Sequence, residues 1–201
     1  MNLIKAYSRH SWVKLTLALC GLGVCCLAGA PTVARADQPN APAPARDGAH
    51  DFDFDFGVWH THIRRIPDPF ADGQHPIELD GMVTVRKVWG GRASLEEIET
   101  DGPSGHWEGM NLFLYNPKAR QWSQSFSNSR VGALGAPFVG EFKQGRAELF
   151  SPDILDGRTI LVRAVWSNIE ANSHDYAESY SDDGGATWRL SFTAHLTREA
   201  S

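Results

Sequence analysis

The chain has 201 residues, a formal net charge of −5 and 42% hydrophobic residues. An acidic chain repels phosphate backbones and anionic membranes, which argues against nucleic acid as a partner. All three cysteines, Cys20, Cys25 and Cys26, precede Leu27, so the remainder of the chain has neither disulfide nor thiolate chemistry at its disposal.

Residues 1–36 read as an export signal. Lys5, Arg9 and Lys14 form a basic start, Leu15 to Leu27 is an apolar run too short to span a bilayer comfortably, and Ala34-Arg35-Ala36 supplies a small-residue cleavage site. Leu19 and Val24 stand before Cys20 and Cys25, where lipid attachment needs a small residue, so no lipid anchor is expected. Cleavage after Ala36 leaves fifteen basic against twenty-four acidic residues, a charge of −9. The expected product is a periplasmic or secreted protein with no membrane contact after cleavage. Residues 37–50, with Pro39, Pro42 and Pro44 among alanines, read as a disordered tether, and residues 51–201 suit one domain with a single core.

The domain opens on Phe52-Asp53-Phe54-Asp55-Phe56-Gly57-Val58-Trp59, and from Gly57 onward the hydrophobic period is two. A first strand runs from Val58 to Ile66 and a second from Ile77 to Trp89. Gly90-Gly91 predicts a two-residue hairpin turn into a third strand, Arg92 to Thr100. Asp101 to Gly105 closes that strand. Trp107 to Tyr115 and Arg120 to Asn128 flank Asn116-Pro117-Lys118-Ala119, a type I turn candidate. Val139 to Phe142 and Arg146 to Phe150 form a smaller hairpin, followed by Arg158 to Ile169, His174 to Ser181 and Trp188 to Arg198. About ten strands with regular turn signals predict an all-β antiparallel barrel or sandwich.

Ser181-Asp182-Asp183-Gly184-Gly185-Ala186-Thr187-Trp188 matches the Asp-box, a turn motif of sialidases and other β-propellers. A propeller repeats the motif in each blade, whereas a single copy here implies a turn and no hydrolysis. His60 and His62 lie on one side of a strand and are weak metal candidates, since with Trp59 turned inward both point outward. Arg163 shares a face with Leu161 and Val165, and Glu97 shares one with Leu95, so both are expected inside the barrel as ligand contacts, together with Trp59. No Gly-x-Ser-x-Gly is present, and nothing sets any two of Glu96, Glu97, Glu99 and Glu108 at a working separation for glycoside hydrolysis.

Asp55-Phe56-Gly57-Val58-Trp59, Tyr115-Asn116-Pro117-Lys118-Ala119-Arg120-Gln121-Trp122 and Ser181 to Trp188 together resemble uncharacterised bacterial secreted proteins with a lipocalin-like, ten-stranded barrel. The resemblance spans Phe52 to Arg198 and implies that Trp59 plugs a barrel floor. A related barrel, nitrobindin, binds haem through a histidine near its C-terminus, and His195 lies in a comparable place. The apolar alternation Leu190, Phe192, Ala194, Leu196 sets His195 on the opposite face, so no cofactor is expected and haem is the alternative. The expected function is the non-catalytic binding of a small, partly apolar molecule; the alternative is a hydrolase acting on a carbohydrate or ester. The mature chain is expected to begin near Asp37 and to lack cysteine, which N-terminal sequencing and intact mass of exported protein will check; retention of Cys20 refutes it.

Overall fold

The computed structural model describes residues 47–102 and 105–200; the expected leader with its cysteines, most of the tether, and Pro103-Ser104 lie outside the described residues. Ten antiparallel strands close into one barrel: β1 (Gly57–Arg65), β2 (Ile77–Val88), β3 (Ala93–Gly102), β4 (Gly105–Asn116), β5 (Gln121–Asn128), β6 (Phe138–Lys143), β7 (Arg146–Leu155), β8 (Arg158–Ser167), β9 (Ser173–Ser181) and β10 (Arg189–Arg198). Each strand pairs with its neighbours in sequence, and β10 closes on β1 with Trp59 opposite Arg198 and Ile63 opposite Ala194. The expected all-β barrel of about ten strands is therefore the fold. Alternation builds it: on β1, Trp59, Thr61 and Ile63 are buried inward while His60 and His62 are exposed.

One end of the barrel is sealed by residues 47–56, which enter it ahead of β1. Phe52 sits at the centre, its ring 5.1 Å from those of Trp122 and Trp166 and 5.3 Å from Phe113. The indole nitrogen of Trp59 donates to the Asp55 carbonyl at 2.8 Å, that of Trp122 donates to Gly48 at 3.0 Å, and the Tyr115 hydroxyl donates to Asp47. These bonds satisfy the carbonyls of a segment that forms no ladder of its own, as burial requires. The ordered domain thus begins earlier than composition predicts. Ala49, counted with the tether, is buried in the aromatic core.

Arg198 fastens this plug to the last strand. Its Nη1 donates to Phe56 and its Nη2 to Phe54, each at 2.8 Å, its Nε donates to Ala171 at 3.0 Å, and the guanidinium lies 3.9 Å from the centre of the Trp59 ring. Gly57 has φ +130, and a β-carbon there would lie 2.6 Å from Arg198 Nη1. Both the backbone conformation and the close approach require glycine.

Three elements differ from expectation. The β2–β3 connection takes four residues, because the ladder ends with Val88 opposite Ala93 and Trp89, Gly90 and Gly91 all have positive φ. It runs against the plug, where a β-carbon on Gly91 would come within 3.1 Å of the Asp53 carboxylate. β7 continues past Phe150 through Pro152; the β6 ladder stops at Val139 opposite Phe150, so Pro152 pairs with β8 alone and lacks no bond for want of an amide hydrogen. A bulge between Leu190 and Phe192 changes the phase of β10, so Leu190 is exposed while Phe192, Ala194 and Leu196 pack inward.

Trp59 has no exposed surface. Replacing it with alanine is expected to cost on the order of 3 to 5 kcal/mol through lost burial and a residual cavity. Urea unfolding of the two proteins measures this, and a loss under about 1 kcal/mol would contradict a sealed floor.

Candidate ligand-binding site

Above the floor the inward face becomes polar. Glu96 on β3 and Asn111 on β4 are cross-strand partners, and Asn111 Nδ2 donates to Glu96 Oε1 at 2.6 Å. Gln124 on β5 donates from Nε2 to Asn111 Oδ1 at 2.9 Å, and its amide also acts on the Tyr176 hydroxyl of β9. Tyr176 in turn donates to Glu178 Oε1 at 2.6 Å. A chain of neutral donors thus links two carboxyl groups across the barrel interior. Glu178 and Tyr180 also feel Arg65 and Asp153, and Ser191 bonds to the Tyr180 hydroxyl.

Burial governs the protonation of these groups. It pushes the Glu96 carboxyl up to about 7, against the opposing hydrogen bond from Asn111. Glu178 is also raised by burial, with Tyr176 and Arg65 opposing. Below them, burial and then Glu96 raise Asp55 well above the ordinary carboxylate range, while burial lowers His174 to about 4. Asp55 Oδ1 and His174 Nε2 are 3.3 Å apart, and both shifts oppose a charged pair at this buried contact. Gln124 Oε1 and the hydroxyls of Thr61 and Thr100 are buried with no partner among the described residues.

Around this polar chain the inward side chains are half-buried: Tyr176, Phe192, Ile98 and Leu79 pack against the Trp59 cluster, and Glu178 and Tyr180 follow Tyr176 on the same face of β9.

The residues expected to contact a ligand lie elsewhere. Trp59 is completely covered by the plug, His174 and Arg198, so it presents no surface to a ligand. Glu97 faces outward and binds Arg86 Nη2 at 2.5 Å; its neighbour Glu96 is the inward carboxylate. Arg163 also faces outward, with its guanidinium 4.4 Å from the centre of the Trp188 ring. The expectation erred in phase. β8 is apolar on both faces, with Ile160, Val162, Ala164 and Trp166 inside and Leu161 and Val165 outside, so Leu161 and Val165 did not mark the interior.

The histidines do stand on the outer wall. His62 pairs with His195 across β1 and β10, and both line a shallow depression with His60. Carboxylates occupy their ring nitrogens: Asp80 at 2.8 Å and Glu78 at 3.2 Å on His62, Asp175 at 2.6 Å on His195, and Glu199 on His60. The Asp80 hydrogen bond raises the pKa of His62. Among the described residues no three ligating side chains are arranged to hold a metal ion. The Asp-box is a self-bonded turn: Gly185 N donates to Ser181 Oγ at 2.7 Å, and Asp183 accepts from the Thr187 amide at 2.9 Å and from its hydroxyl at 2.6 Å. Those bonds hold the Asp183 carboxyl far below its usual range.

No protein-family model matches the chain, and no curated protein is significantly similar to it. Among solved structures it is similar to the S-type phycobiliprotein lyase CPES from Guillardia theta, with 10% identity and a TM-score of 0.54 over 78% of this chain and 95% of that chain. It is also similar to a de novo designed fluorescence-activating β-barrel, with 12% identity and a TM-score of 0.41 over 77% of this chain and 99% of the design. At 10% identity the likeness to the lyase is one of fold.

The Glu96 carboxyl yields a pH test. Its folded pKa of about 7 lies above the ordinary 4.5, so the stability it contributes is fully present below about pH 4.5 and lost as pH rises through about 7. Glu96→Gln removes this dependence. The stability of wild type relative to Glu96→Gln is expected to fall between pH 5 and 8 in denaturant titrations, and a constant difference would show that Glu96 is solvated.

Proposed function

We propose that this protein is a lipocalin-like, non-catalytic binding protein of the periplasm or extracellular space that holds one small, partly apolar molecule in the upper half of its barrel. The observation that carries the reading is the contrast between the two ends: an aromatic floor with no exposed surface at Trp59, and above it half-buried inward side chains among which a polar chain runs from Glu96 to Glu178. Small closed barrels of this strand number can hold a single ligand. The polar chain from Glu96 to Glu178 would orient the ligand, and Ile98, Leu79 and Phe192 would cover its apolar part. The export signal at residues 1–36 supports the location, and the mature charge of −9 disfavours nucleic acid. Haem is not part of the reading, because His195 turns away from the interior and bonds to Asp175.

Titration of the mature protein with a neutral, environment-sensitive naphthalene dye tests this. One dye per chain is expected to bind with enhanced emission. Ile98→Trp, which fills the upper interior, is expected to weaken binding by at least about tenfold while remaining folded by circular dichroism, whereas Arg163→Leu binds as wild type. Undiminished binding to a folded Ile98→Trp variant would place the dye outside the barrel and refute the proposal.

A further inference from the structure

The charges inside the barrel are unequally satisfied. Of the inward cations, Arg198 is committed to three backbone carbonyls and the Trp59 ring, and Arg65 stands exposed at the far end of β1. Between them lie two carboxyl groups whose donors are neutral, Asn111 on Glu96 and Tyr176 on Glu178. Gln124 is 3% exposed, and its Oε1 is a buried acceptor with no partner among the described residues, on the same amide that serves Asn111 and Tyr176. The enclosed region is therefore rich in acceptors and poor in cationic donors.

We propose that the ligand carries a protonated amine on an aromatic or aliphatic body, with the ammonium seated beside Tyr176 between the carboxyl groups of Glu96 and Glu178. The inference rests on the reading of the barrel interior as the ligand site. An ammonium brings three donors and no acceptor, which matches the open valences of Glu96, Glu178 and Gln124. It also provides the opposite charge that a buried carboxylate needs. A carboxylate ligand would instead set a third acidic group beside two, with Arg198 committed to the plug and Arg65, which acts on Glu178, the single cation near them among the described residues. Tyr176 and Phe192, whose ring centres are 5.8 Å apart, offer aromatic faces that attract a cation and cover an apolar body. Burial raises both carboxyls, and a bound ammonium opposes that rise, so binding is expected to release protons.

The test uses three probes sharing one naphthalene body and a short alkyl chain that ends in an ammonium, a hydroxyl or a carboxylate, titrated at neutral pH and constant salt. The mature wild type is expected to bind the ammonium probe at least about tenfold more tightly than the carboxylate probe. Glu178→Gln and Glu96→Gln are each expected to weaken the ammonium probe about tenfold and to leave the hydroxyl probe within about twofold. Should Glu96→Gln fold poorly, Glu178→Gln decides alone. Equal or tighter binding of the carboxylate probe overturns the amine assignment and leaves the barrel as a binding protein. If none of the probes binds, or if Ile98→Trp does not weaken the hydroxyl probe, the reading of the interior falls and the amine assignment with it.

Discussion

The Arg198 guanidinium, 3.9 Å from the centre of the Trp59 ring, donates to the carbonyls of Phe54, Phe56 and Ala171. A planar cation with fixed donors can bind several carbonyls and an aromatic face at once, which a lysine cannot do. Through this side chain the end of β10 holds the segment before β1 and the turn before β9. Closure of the barrel and sealing of its floor are thus one event. Gly57 completes the arrangement, since a side chain there would occupy the space of Arg198 Nη1.

A sealed floor makes a polar interior affordable. Phe52, Phe113, Trp122 and Trp166 bury their rings against one another at the plugged end, and large apolar burial of this kind dominates the favourable side of folding. Glu96, Asn111, Gln124, Tyr176 and Glu178 occupy the next level, where a fully apolar core would gain stability. Their hydrogen bonds join four different strands of the wall, so the orientation of each acceptor depends on the register of the others. Polar residues held in this manner fix one another's orientation, which an apolar layer would not do.

The outer wall has its own interactions, and they engage several conspicuous charged residues. Arg163 lies over Trp188, Glu97 binds Arg86, and the exposed histidines of β1 and β10 are matched with carboxylates on neighbouring strands. Cross-strand pairs of this sort stabilise a sheet by small increments and reduce the number of bare charges on its surface. The turn from Ser181 to Thr187 closes its hydrogen bonds within itself, as a sharp connection between β9 and β10 requires.

Period-two alternation and the turn residues were enough to determine the strands, their approximate number and an antiparallel barrel or sandwich, because these features depend on local backbone geometry and on which residues tolerate water. The choice of a barrel with Trp59 at its floor came from the resemblance that Gly57-x-Trp59 helps to carry. The inward face could not be read in the same way. On β3, Glu96 and Glu97 are adjacent in sequence and face opposite sides, and only the pairing of Glu96 with Asn111 decides which is inside. On β8 both faces are apolar, so the side on which Arg163 lies depends on its neighbours in the wall. The bulge at Ser191 shifts the phase of β10 without any mark in the hydrophobic pattern. Arg198 looks like an ordinary terminal charge until closure of β10 on β1 sets it opposite Trp59. Local propensity therefore settled the elements, while tertiary register settled which charges are buried, since the cost of burying a charge is fixed only by the partners that other strands bring to it.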